Sequence, residues 1–161
     1  MKKMTVLIAA LFALAAPVVS FAAMDHGSMD MSHGGHQGDV AHEEVVDGVK
    51  ATFNVISMKE HMKAMKEELP KGMKETHHLM ATFKDVKSGK ILTDGEVTVK
   101  IQAPDKSEQV KNLMGMGGME GMDAGFGADF EMAKKGKYGV MTKFKLNDGK
   151  VRGAKFWYTV K

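Results

Sequence analysis

The side chains best suited to chemistry in this sequence are thioethers and imidazoles, and they fall into three groups. The first is MDHGSMDMSHGGH, where Met24, His26, Met29, Met31, His33 and His36 alternate with almost nothing else of any bulk, and His42 follows shortly after. Imidazole nitrogen serves many transition metals, whereas thioether sulfur is soft and favours Cu(I). Nickel, zinc or cobalt would accept these imidazoles and gain little from the sulfurs, so the mixture points to a copper ion, Cu(I) or Cu(II). The competing reading is a solvated leader whose histidines are incidental. So dense an interleaving of two ligand types speaks against it.

The second group is Met114, Met116, Met119 and Met122, within LMGMGGMEGMDAGFG. A Gly-rich backbone can fold several thioethers onto one ion. Two other uses compete: adaptable packing in a core, and a flexible apolar surface for a partner protein. The glycines deny the stretch a regular period, so a loop is expected.

The third group is His61 with Met58, Met62 and Met65, followed by His77, His78 and Met80. His61 and Met65 are spaced i, i+4 and can chelate from one helix face, although methionines at helical spacing more often pack. His77 and His78 are adjacent. In a regular strand they point to opposite faces, so at most one can join a given site. His77 would share its face with Leu79, Ala81 and Phe83.

Other chemistries are excluded by what is missing. The chain has 16 methionines and no cysteine, which removes thiol nucleophiles and a blue-copper centre, since the latter needs a thiolate. HExxH, GxSxG, GxGxxG and the P-loop are absent, and a non-enzymatic protein is expected. Arg152 is the lone arginine, and the formal charge of +3 includes Lys2 and Lys3. Nucleic acid is therefore not an expected partner.

Met1-Lys2-Lys3, the apolar run Val6 to Val19 and the small residues of Ser20-Phe21-Ala22-Ala23 have the tripartite form of a secretory signal peptide. The run is about 14 residues, short of the ~20 that span a bilayer, so cleavage after Ala22 or Ala23 is expected and residues 1–23 are set aside. The mature protein would be periplasmic, with no membrane span. Residues 24–44 lack the apolar content to offset ordering and are expected as a disordered Met/His-rich tail. The remainder, 45–161, reads as one β-sandwich domain.

Within that domain Val45 to Met58 reads as a first strand, and Met58 to Leu69 as a helix stopped by Pro70 and Gly72. His77 to Phe83, Val97 to Ala103, Phe126 to Met132, Tyr138 to Leu146 and Arg152 to Val160 read as strands. Asn147-Asp148-Gly149 joins the last two as a hairpin. The expected fold is mostly β, an antiparallel Ig-like sandwich of six to seven strands with one short helix inserted after the first strand.

From Thr76, THHLMATFKDVKSGKILTDGEVTVKIQAPD, the Met/Gly stretch, GFGADFEM, KKGKYGVMTKFKL and the closing aromatic strand resemble periplasmic domains of the YtkA-like and FixH-like kind. The resemblance runs over roughly Thr76 to Lys161. Met114-Gly115-Met116 stands where those domains carry MPxM. The tail separately resembles the Met/His repeats of periplasmic copper-resistance proteins. These resemblances imply a small Ig-like sandwich associated with copper handling.

Taken together, the expectation is a periplasmic protein that sequesters or delivers copper, through ligands among His26, Met29, Met31, His33, His36, His61, His77, His78, Met114, Met116, Met119 and Met122. Its partners would be the metal ion and a periplasmic or membrane metal-handling protein. The alternative is a non-enzymatic interaction module of the cell envelope, with the Met-rich loop as its docking surface.

Overall fold

A computed structural model of the chain describes residues 38–118 and 123–161. The expected signal peptide and most of the expected tail, with His26, Met29, Met31, His33 and His36, lie outside the described residues, as do Met119 and Met122.

The described residues form nine strands and one helix. The strands are β1 (Asp39–Val46), β2 (Val49–Ser57), β3 (His77–Asp85), β4 (Gly95–Gln102), β5 (Glu108–Asn112), β6 (Met114–Met116), β7 (Gly125–Phe130), β8 (Gly136–Leu146) and β9 (Val151–Val160). The helix, α1 (Met58–Met65), lies between β2 and β3. Every named pairing is antiparallel, in two sheets ordered β1-β2-β3-β7-β6 and β5-β4-β8-β9. The expected sandwich is thus the fold. No helix among the described residues is long and apolar enough to cross a membrane.

Alternation along the strands builds the interior. Phe53, Leu79, Ala81, Phe83, Phe126 and Phe130 of one sheet meet Val97, Val99, Ile101, Val140, Phe144 and Phe156 of the other, and all are buried. Phe83 and Phe144 pack across the layers with ring centroids 4.5 Å apart. Burying such aromatic surface is the main source of stability for a chain with no disulfides.

Three expectations about boundaries are corrected. Val45 to Met58 is not one strand: Asp47 (φ 46°) and Gly48 (φ 77°) make a tight turn between β1 and β2, the Asp-Gly hairpin chemistry that favours positive φ at both positions. The turn recruits residues 39–44, expected as tail, into β1. His42 accordingly stacks on Phe156, centroids 4.9 Å apart, and contacts Glu44.

The Gly/Met-rich stretch is not a loop throughout. β5 and β6 lie on either side of Leu113, whose buried side chain joins the interior and whose N–H donates to the Val97 carbonyl at 2.8 Å. Leu113 is the crossing point from one sheet to the other, so Met114 and Met116 are strand residues.

The helix is shorter than expected. Ser57 caps it by accepting from the Glu60 N–H at 3.2 Å, while its hydroxyl donates to the Glu60 carboxylate at 2.7 Å. Lys66 ends it at φ 58°, in the left-handed region. Leu69 lies beyond that stop and is exposed.

Candidate metal centre

In β7 the run Gly125-Phe126-Gly127 sends Phe126 into the core and leaves both glycines on the outer face of the five-stranded sheet. Register places Gly127 between Met80 of β3 and Met114 of β6, and Gly125 beside Met116. The sheet therefore carries a trough with a glycine floor, His78 and Met80 on one bank and Met114 and Met116 on the other.

The trough is occupied by donor atoms. A Cβ built on Gly127 would overlap Met116 Sδ and stand 2.8 Å from His78 Nε2. The imidazole nitrogen and the thioether sulfur thus converge on one point, and only glycine leaves room for them. A Cβ on Gly125 would stand 3.2 Å from Met80 Cε, so a third thioether side chain borders the same floor.

His78 is held in place by a carboxylate. Its Nδ1 lies 2.6 Å from Asp129 Oδ1. A carboxylate only accepts, so Nδ1 carries the proton donated to it, and in the neutral ring Nε2 is then the lone-pair nitrogen. That Nε2 is buried and has no hydrogen-bond partner among the described residues. A carboxylate fixing the far nitrogen of an imidazole is the usual support of a metal-bound histidine.

The helix supplies the second imidazole. Met58 and His61 are its buried residues, and the Met58 N–H donates to the Thr76 carbonyl at 2.7 Å, fastening α1 near the start of β3. The His61 ring lies parallel to that of His78, with centroids 4.1 Å apart and 3° between planes. Burial holds the His61 imidazole below its ordinary pKa and the neighbouring His78 lowers it further, while Asp129 and Glu67 act in opposition. The neutral ring, with a free lone pair, is the form a metal needs.

Of the residues expected as ligands, the structure brings together His61, His78 and Met116, with Met114 beside them but largely exposed at 76 %. It separates others. Met65, paired on paper with His61, is exposed near the helix end. His77 faces the opposite side of its strand from His78, as adjacent strand residues must. There it packs edge-on to Tyr158 at 6.1 Å and lines a cleft with Glu60, and burial lowers its pKa against the pull of Glu60. Asp129, Gly127 and Gly125 join the site only in the structure. Their signal was present in GFGADF, where period two places all three on the face of His78.

No group of three or more histidine and carboxylate side chains among the described residues is arranged to hold a metal. The donors that do converge are a nitrogen and a sulfur, with a second imidazole stacked on the first. An unpartnered buried nitrogen, a space that a Cβ would fill and a soft donor set fit a soft ion such as copper, rather than an oxygen-seeking one.

No protein-family model matches the sequence, and no curated protein matches it. Solved structures do match in fold. A copper-bound variant of FetP from uropathogenic Escherichia coli strain F11 superposes with a TM-score of 0.58 at 13 % identity, covering 76 % of this chain and 90 % of that one. A copper-bound variant of Campylobacter jejuni P19 gives 0.57 at 13 % identity, covering 76 % and 96 %. A DUF4426 family protein of Pseudomonas aeruginosa PAO1 gives 0.54 at 12 % identity, covering 74 % and 96 %. At these identities the likeness establishes a shared β-sandwich.

Proposed function

We propose that this chain is a periplasmic, non-enzymatic copper-binding protein that sequesters the ion or delivers it, with His78 and Met116 as its structured ligands and His61, stacked on His78, as a third that joins them when its ring turns. The observation that carries the reading is the buried, unpartnered Nε2 of His78, turned by Asp129 toward the sulfur of Met116 over Gly127. Copper-bound FetP and P19 share the sandwich, which supports the choice of metal, as does the YtkA-like and FixH-like resemblance, and the export pattern of residues 1–23 supports the periplasmic placement. The Met/His-rich segment ahead of the domain suits capture of ions, and a membrane or periplasmic metal-handling protein suits receipt of them.

The test is a Cu(I) titration of the full chain against a competing chelator, beside His78→Ala and Met116→Leu variants of unchanged circular dichroism. One tight equivalent, lost in His78→Ala and weakened in Met116→Leu, is expected. Equal titration curves for all three proteins would defeat the proposal. A docking role for the methionines is the second reading, favoured by the exposure of Met114 on β6. It predicts that Leu, which keeps apolar bulk, is tolerated at Met114 and Met116.

A further inference from the structure

The second sheet has an outer face of a different character. Register aligns Lys137, Lys143 and Lys145 of β8 with Thr159, Gly153 and Val151 of β9, and Met141 with Lys155. All these side chains stand on the face opposite the interior. None of Lys137, Lys143, Lys145 and Lys155 forms an ion pair among the described residues, and neither strand places a carboxylate on that face. On the neighbouring β4, Glu96 stands opposite Lys145 in register without pairing to it. Lys100 of the same strand extends the positive field but is paired with Glu108 at 2.8 Å.

The lone tryptophan lies in the middle of this field. Trp157 is 53 % exposed. It lies across Gly139, where a Cβ would stand 3.1 Å from its ring, so the glycine lets the indole rest flat on the sheet. Lys137 Nζ lies 4.9 Å from the ring centroid. Val151, 58 % exposed, adds a second apolar group at the far end of β9.

We infer that the β8–β9 face is a docking surface for an anionic phospholipid membrane. Four unpaired ammonium groups spread over two long strands match a planar array of negative headgroups, to which juxtaposed lysines add attraction within a Debye length. An indole lying in the same plane is the side chain that favours the headgroup level. The inference stands apart from the metal centre, which is on the other sheet.

Because the chain has one tryptophan, its fluorescence reports this face alone. The full chain is mixed with vesicles of equal parts phosphatidylglycerol and phosphatidylcholine, and with vesicles of phosphatidylcholine alone. Trp157 emission is expected to shift to the blue, with protection from acrylamide, only with the anionic vesicles. High salt should reverse the shift, and a Lys143→Glu/Lys155→Glu double variant should bind at least about tenfold more weakly. Association of both proteins with both vesicles and no change at Trp157 would assign binding to the apolar run near the N-terminus and overturn the inference. A shift produced by soluble polyglutamate but not by vesicles would overturn it in favour of an acidic protein.

Discussion

His61 and His78 lie with their rings parallel and their centroids 4.1 Å apart, one delivered by a helix and the other by a strand. The two residues are not equivalent. His78 is oriented by Asp129, whereas His61 is held by the seating of α1. Removal of His78 should therefore cost more than removal of His61. In competition titrations with Cu(I), His78→Ala is expected to weaken binding by more than about 100-fold, since even loss of an outer partner of a ligand costs ~10–100-fold. A larger loss for His61→Ala would reverse the assignment of the primary nitrogen.

Asp129 acts through His78. Asp129→Asn keeps an acceptor at that position but removes the carboxylate whose contact fixes the orientation of the ring. Affinity is expected to fall about tenfold, with little change in thermal midpoint because Asp129 is partly exposed. Nitrogen chemical shifts of His78 should show the Nδ1 proton in the parent and a mixed tautomer in the variant.

Gly127→Ala places a methyl where the nitrogen and the sulfur converge. Both neighbours are side-chain atoms rather than backbone, so the methyl should displace the Met116 sulfur and press on the His78 ring while the fold persists. Ion binding should fall by about 100-fold or more, while the unfolding midpoint moves by only a few degrees. Parent-like affinity in this variant would mean that the trough is not the site.

Acid should loosen the domain in a defined window. His77 and His61 both have folded pKa values below the ordinary 6.5, in each case first through burial. The unfolded chain then binds more protons than the folded one as pH falls through that value. Stability is full above it and declines below it. Urea midpoints of the metal-free protein should drop between about pH 7 and about pH 5, and His77→Phe should reduce that drop. A flat profile in the parent would contradict the depressed values.

The seating of α1 can be tested without metal. Met58 is 2 % exposed, and Met58→Ala should destabilise by about 2–5 kcal/mol through the cavity it leaves. Ser57→Ala removes the cap and should cost about 1 kcal/mol. Both are read by chemical denaturation, and both should weaken copper binding in step with the loss of His61 from the trough.

Much of the architecture was legible because period-two alternation is a strong signal wherever one face is buried. Val97, Val99 and Ile101, or Phe53, Leu79 and Phe83, could hardly lie elsewhere. The turn at Asp47-Gly48 was as legible as Asn147-Asp148-Gly149, yet the polar run before it read as tail, so β1 was missed. β5 and β6 give little periodic signal, β5 because Val110 is its lone apolar residue and β6 because it has three residues, one of them glycine; only the burial of Leu113 reveals the crossover.

The candidate site was half legible. His61, His78 and Met116 stood out by type, and adjacency alone separated His78 from His77. Their convergence was not visible, because it depends on the pairing of β3, β7 and β6, which no local pattern specifies. Asp129 orients His78 and Gly127 makes room for the Met116 sulfur, and both roles exist only once the register sets these residues side by side.

The position of the donors on the outside of their sheet has a kinetic consequence. On the proposed role, the aromatic interior between the layers need not open for an ion to enter or leave. An eight-residue helix is marginal on its own, and its release is a local event far cheaper than global unfolding. Exchange of an ion should then be gated by the fraying of α1, so that turnover of cargo and lifetime of the folded molecule can be set independently of each other.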